Sequence, residues 1–167
     1  ISTKKADQAW NYGVSIINSF KLFNRESQLI LDYYITDFQN KVVADWETPS
    51  LINFYNLTGK SYSNSFQAQL SYTLSNSFDL LFAYKNTDAK TDYISHGRLK
   101  NPLTPSNRLF FNLSYNGTTD EKGRSWKYDF TFNHVGEQRI PSTQENPQQY
   151  RLPNISDKLN LINTQIT

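Results

Sequence analysis

The spacing of the connections constrains this chain more than any other feature. Stretches that alternate apolar and polar residues with the period of a strand are joined by links that are alternately short and long. Short links lie at 23–26 and 75–77, with a moderate turn at 116–125, and long polar loops lie at 37–59, 86–107 and 135–157. Successive antiparallel strands place successive links at opposite ends of a sheet. Every long loop therefore belongs to one end and every short turn to the other. The chain is expected to form an all-β, antiparallel, up-and-down sheet.

Period-2 alternation assigns the faces. Phe66, Ala68, Leu70 and Tyr72 alternate with Gln67, Gln69, Ser71 and Thr73, so one face is apolar and the other polar and uncharged. Phe78, Leu80, Phe82 and Tyr84 repeat the pattern against Asp79, Leu81, Ala83 and Lys85. Leu109, Phe111, Leu113 and Tyr115 repeat it against Arg108, Phe110, Asn112 and Ser114, and Trp126, Tyr128, Phe130 and Phe132 against Lys127, Asp129, Thr131 and Asn133. Earlier, Trp10, Tyr12, Val14 and Ile16 share a face, as do Leu29, Leu31, Tyr33 and Ile35, although Ile30 and Tyr34 blur the second. The last strand, 159–167, changes phase midway, and a bulge at 160–163 is the expected cause.

Composition indicates what these faces meet. The hydrophobic fraction is only 37%, yet 11 Tyr, 11 Phe and 3 Trp bring the aromatic fraction to 15%. Strands apolar on one side, with aromatics where a membrane meets water, reconcile the two figures. No run of roughly 18 apolar residues offers a helical span. Short turns at one end and long loops at the other match the periplasmic and extracellular sides of an outer-membrane β-barrel. About seven strands with unpaired edges fit a segment of a larger transmembrane β-barrel better than a closed one. Alternation of this kind also describes a soluble extracytoplasmic β-sandwich or lipocalin-like barrel that binds carbohydrate or protein, and that alternative stands beside the first.

Several segments then resemble TonB-dependent outer-membrane receptors, in order along the chain. These are Ala9-Trp10-Asn11-Tyr12-Gly13, the stretch from Asp32-Tyr33-Tyr34-Ile35-Thr36 to Lys41-Val42-Val43, and Phe54-Tyr55-Asn56-Leu57 with Gly59-Lys60-Ser61-Tyr62-Ser63. Lys100-Asn101-Pro102-Leu103-Thr104-Pro105 ahead of Arg108, Arg151-Leu152-Pro153 and Asn163-Thr164-Gln165-Ile166-Thr167 complete the set. The resemblance implies that residues 1–167 belong to one β-barrel domain of roughly 22 strands, with the plug domain, the TonB box and the final strands lying outside them. The opening Ile1-Ser2-Thr3, without a secretory apolar segment, reads likewise as a cut inside a longer protein. The implied function is capture of a scarce extracellular ligand (a siderophore, cobalamin or other metal chelate, or an oligosaccharide) and its import to the periplasm. The implied location is the outer membrane of a Gram-negative bacterium, with outer-membrane lipid and the TonB complex as partners. A passive porin is a lesser alternative.

Trp46, Phe54, Tyr55 and Tyr93 are the expected outer ligand contacts, and Asp32, Gln67, Gln69, Arg108, Lys127 and Asp129 the expected lumen-lining residues. No enzyme activity, cofactor or metal is expected. Gly59-Lys60-Ser61 lacks the upstream glycine of a P-loop, since Phe54 stands at that position. His96 near Asp88 and Asp92 reads as solvated loop, as do Asp37, Asp45 and Glu47, and no nucleophile elbow occurs. A net charge of +2 without a basic stripe argues against nucleic acid, and zero cysteine excludes disulfides and cysteine-ligated metals. Four glycosylation sequons, beginning at Asn56, Asn112, Asn116 and Asn154, carry no assigned role.

Overall fold

The computed structural model describes residues 6–49 and 51–167, so the Ile1-Ser2-Thr3 opening lies outside the described residues. Seven long strands form one antiparallel meander: β1 (Gln8–Leu22), β2 (Arg25–Asn40), β5 (Ser61–Thr73), β6 (Phe78–Tyr93), β8 (Asn107–Asn116), β9 (Lys127–Val135) and β10 (Leu159–Ile166). A short strand, β7 (Gly97–Lys100), pairs with the far end of β6, and β3 (Val42–Asp45) with β4 (Asn53–Asn56) makes a separate hairpin. Among the described residues, β1 and β10 are the two free edges of an open sheet. Among the described residues no helix is long and apolar enough to cross a membrane, which says nothing about crossing by strands.

The connections alternate as expected. The β1–β2 turn has two residues, Phe23 and Asn24, at φ 48° and 63°. Positive φ at both central positions is the primed-turn geometry that follows the right-handed twist of a hairpin. Two of the long loops hold more strand than expected. β2 runs on to Asn40 before the β3–β4 hairpin, and β6 runs on to Tyr93 before folding back as β7.

Cross-strand register turns the separate alternations into one surface. Leu29 pairs with Leu70, which pairs with Phe82, which pairs with Phe111, which pairs with Phe132, which pairs with Ile162. Rows on either side carry Leu31, Ala68, Tyr84 and Leu109, or Tyr72, Leu80, Leu113 and Phe130. Tyr128 lies on this band, whereas Trp126 falls one residue before β9. Ile30 and Tyr34 belong to the opposite face, so they do not interrupt the band. There Tyr34 sits opposite Gly13, where an added Cβ would run into the Tyr34 ring and the Tyr33 carbonyl. An aromatic ring thus covers a strand glycine.

One expectation is corrected. β10 pairs with β9 without a register break from Leu159 to Ile166, so no bulge lies at 160–163. The apparent change of phase arises because Leu159 and Leu161 lie on the polar face while Ile162 and Ile166 lie on the apolar one.

The apolar band is not covered. No apolar side chain on it is buried, and Val14, Ile16, Phe66, Phe82, Tyr128 and Ile162 are exposed. The accessible area is 11631 Å², against about 8,500 Å² for a compact monomer of this mass. Among the described residues the buried apolar side chains are Val43, Ala89 and Tyr93, and the last two lie on the polar face at the long-loop end. The loops therefore fold over the polar face at the long-loop end, while both faces stay open through the middle of the sheet and the apolar face is uncovered along its length. Above Phe66 the bare face ends in a polar rim, where the Tyr62 hydroxyl donates to Asp88 at 3.1 Å and Lys90 meets Asp88 at 3.2 Å.

Candidate functional site

The three long loops converge on one guanidinium. Arg139, from the β9–β10 loop, forms a fork with Glu47 of the β2–β5 loop through bonds of 2.8 and 2.7 Å. Its Nε donates to the Lys100 carbonyl at the end of β7, and its plane lies 5.8 Å from the centroid of the Tyr93 ring. Glu47 is 4% exposed, and the Ser142 amide also donates to it. A planar fork on a carboxylate with an aromatic neighbour is the arrangement that arginine satisfies and lysine does not. The expectation that Asp45 and Glu47 are solvated is corrected, because both are buried and bonded. The distant Arg139, 92 residues on, with the Ser142 amide beside it, makes burial of Glu47 tolerable.

A second cluster adjoins the first. The Tyr55 hydroxyl donates to Asp45 at 2.8 Å and accepts from the Ile94 amide at 3.2 Å. Burial pushes the Tyr55 phenol up to about 12; the Ile94 bond opposes the shift and the Asp45 carboxylate adds to it. Burial also raises the Tyr93 phenol, opposed by Arg139. Lys41 donates to Ser61 and Thr91, both fully buried, and Thr91 donates on to Asn101. Burial lowers the Lys41 ammonium, with Asp7 acting against the shift. These polar groups are consumed in fastening the loops to the sheet.

The four expected outer contacts divide into two pairs. Tyr55 and Tyr93 are brought together inside the loop layer, where their rings and hydroxyls hold Asp45, Ile94 and Arg139. Trp46 and Phe54 remain outside it, 43% and 58% exposed. Trp46 lines an open cavity of about 500 Å³ together with Pro49, Leu51, Ile52, Ile140 and Pro141. Its surface is mostly apolar, with Thr48, Ser142, Thr143 and Asn146 among its lining, and is built from two loops. Such a recess can hold a planar or aliphatic group, and it holds no ionisable side chain for proton transfer.

The expected lumen-lining residues all lie on the polar face, at two heights. Asp32, Gln67, Lys85 and Arg108 form one continuous row across β2, β5, β6 and β8. Gln69 lies in the next row, between Ile30 and Ala83. Asp129 and Lys127 lie towards the short-turn end, where Asp129 accepts a 2.5 Å bond from the Ser114 hydroxyl. Lys85 was not among the residues chosen from sequence. The signal lies in the register, which no single strand contains.

Among the described residues no group of three or more His, Cys, Asp or Glu is placed to hold a metal ion. Asp92 is engaged by Arg98 and the Lys60 amide, and the His134 ring bonds Asn160 at 2.7 Å. Comparison with known proteins finds no matching family model, no matching curated protein and no matching solved structure.

Proposed function

We propose that this chain is a wall segment of an outer-membrane TonB-dependent receptor. In this reading the apolar band meets lipid, the polar face lines the lumen, the short turns face the periplasm and the loop layer faces outward. One observation carries the reading: the sheet leaves its apolar face uncovered along its length, and its loops fold over the polar face at the long-loop end. A soluble β domain does the reverse, since burying the apolar face supplies most of its stability. The ligand meets the loop layer first, at the recess around Trp46, and then the polar row of Asp32, Gln67, Lys85 and Arg108. The ligand classes remain a siderophore, cobalamin or other metal chelate, or an oligosaccharide. The TonB complex is engaged through a region outside these residues.

Arginine scanning tests the reading. Leu70→Arg and Phe111→Arg place a cation on the bare band and are expected to cost about 2–4 kcal/mol each in a bilayer. Gln69→Arg, one residue away on the polar face, is expected to be mild. Heat-modifiable mobility of outer-membrane fractions measures assembly, and equal damage from all three variants overturns the face assignment.

A further inference from the structure

We propose that Lys85 and Arg108 form an oxyanion-binding subsite on the polar face. The two residues lie directly opposite each other across β6 and β8, an arrangement in which like charges disfavour the pairing. Among the described residues six other cations meet carboxylates, Lys21 with Glu26, Lys90 with Asp88 and Arg139 with Glu47 among them. Among the described residues neither Lys85 nor Arg108 has a carboxylate within salt-bridge distance. The acid of their own row, Asp32, is two strands from Lys85 with Gln67 between them, a separation of about 10 Å.

The space around the pair has the matching chemistry. A cavity of about 280 Å³ is lined by Lys85, Thr87, Thr104, Pro105 and Arg108. It joins a guanidinium fork, an ammonium and the Thr87 hydroxyl, all able to donate to oxygen, while the Thr104 hydroxyl donates to the Pro102 carbonyl, and it holds no acid. Thr104 and the buried Pro105 come from the loop after β7 and close the recess from the long-loop end. A second concavity of about 320 Å³ shares the same two cations and opens along the polar face past Gln67 and Asn133. The recess suits a phosphate or the carboxylates of a small polyacid. The inference rests on the register of β6 and β8 and on this cavity. It does not rest on the membrane reading, so the two can fail separately.

The experiment is calorimetric titration of the protein in detergent micelles with inorganic phosphate and, separately, with citrate. A background of about 0.1 M neutral salt limits attraction by the general field. Saturable binding of at least one probe is expected. Lys85→Gln and Arg108→Gln should each weaken it about tenfold or more, the loss of one charge-assisted contact. Thr87→Val should weaken it without altering charge, and Lys21→Gln, already paired with Glu26, should leave it unchanged. Phosphate alone binding identifies a compact tetrahedral oxyanion, and citrate alone a polycarboxylate. Relief of like-charge repulsion predicts that Lys85→Gln folds, which its circular dichroism checks. No saturation with either probe, no loss in Arg108→Gln, or an equal loss in Lys21→Gln overturns the proposal.

Discussion

Removing the Glu47 carboxylate should open the loop layer without dissolving the sheet. The Glu47 side chain is 3% exposed and that of Arg139 16%, and two bonds of 2.7 and 2.8 Å join them. Truncation to Glu47→Ala strands a guanidinium in a site that gives it little water, at a cost of about 3–5 kcal/mol. Arg139 keeps its Lys100 carbonyl and Tyr93 ring, so the lower half of that range is expected. Opening of the layer exposes the Ile140 and Ser156 amides, which are bonded across the third loop to Asn154 and Gln138. Their hydrogen exchange should accelerate by about two to three orders of magnitude, while amides in the middle of β5 and β6 keep their protection. Replacing both partners with apolar residues, Glu47→Leu with Arg139→Met, should recover much of the loss. The exposed Lys21–Glu26 pair, with side chains 65% and 73% exposed, provides the contrast, because its loss should cost less than about 1 kcal/mol. If Glu47→Ala accelerates exchange no more than Glu26→Ala does, the pair does not lock the loops and the reasoning fails.

Two further outcomes follow from local geometry and titration. Gly13→Val should weaken the β1–β2 pairing, measured as faster exchange along β1, and Tyr34→Ala in the same chain should restore part of it by clearing the ring from the added side chain. The Tyr55 phenol, raised to about 12 from 10.0, favours the folded loop layer fully below the unfolded value. That contribution is lost as pH rises through about 12, where the folded phenol ionises beside Asp45. Loop protection should therefore decline between pH 10 and 12, and Tyr55→Phe should flatten the decline while lowering protection at neutral pH.

The strands were legible because each one carries its own alternation. Phe66 to Tyr72 and Leu109 to Tyr115 declare two faces without reference to any neighbour, and the register confirms both. The turns were legible for the same local reason. The loop layer was not, because its logic is pairwise and distant: Glu47 looks like one of a solvated acidic group until Arg139 reaches it. The polar row suffered similarly. Arg108 and Asp32 were chosen as single residues, whereas the meaning of Lys85 comes from the strand beside it. β10 misled because its leucines and isoleucines divide between two faces, which mimics a bulge in a one-dimensional reading.

The central claim is that neighbouring residues of β5 face different solvents, and the chain contains no cysteine, so single cysteines can report it directly. Cysteines placed in turn at Gln67, Ala68, Gln69, Leu70 and Ser71, with the protein in lipid bilayers, would carry a bimane fluorophore exposed to nitroxide quenchers in the acyl chains. The account predicts strong lipid quenching at positions 68 and 70 and little at 67, 69 and 71. Uniform quenching, or none at any of the five, would contradict it.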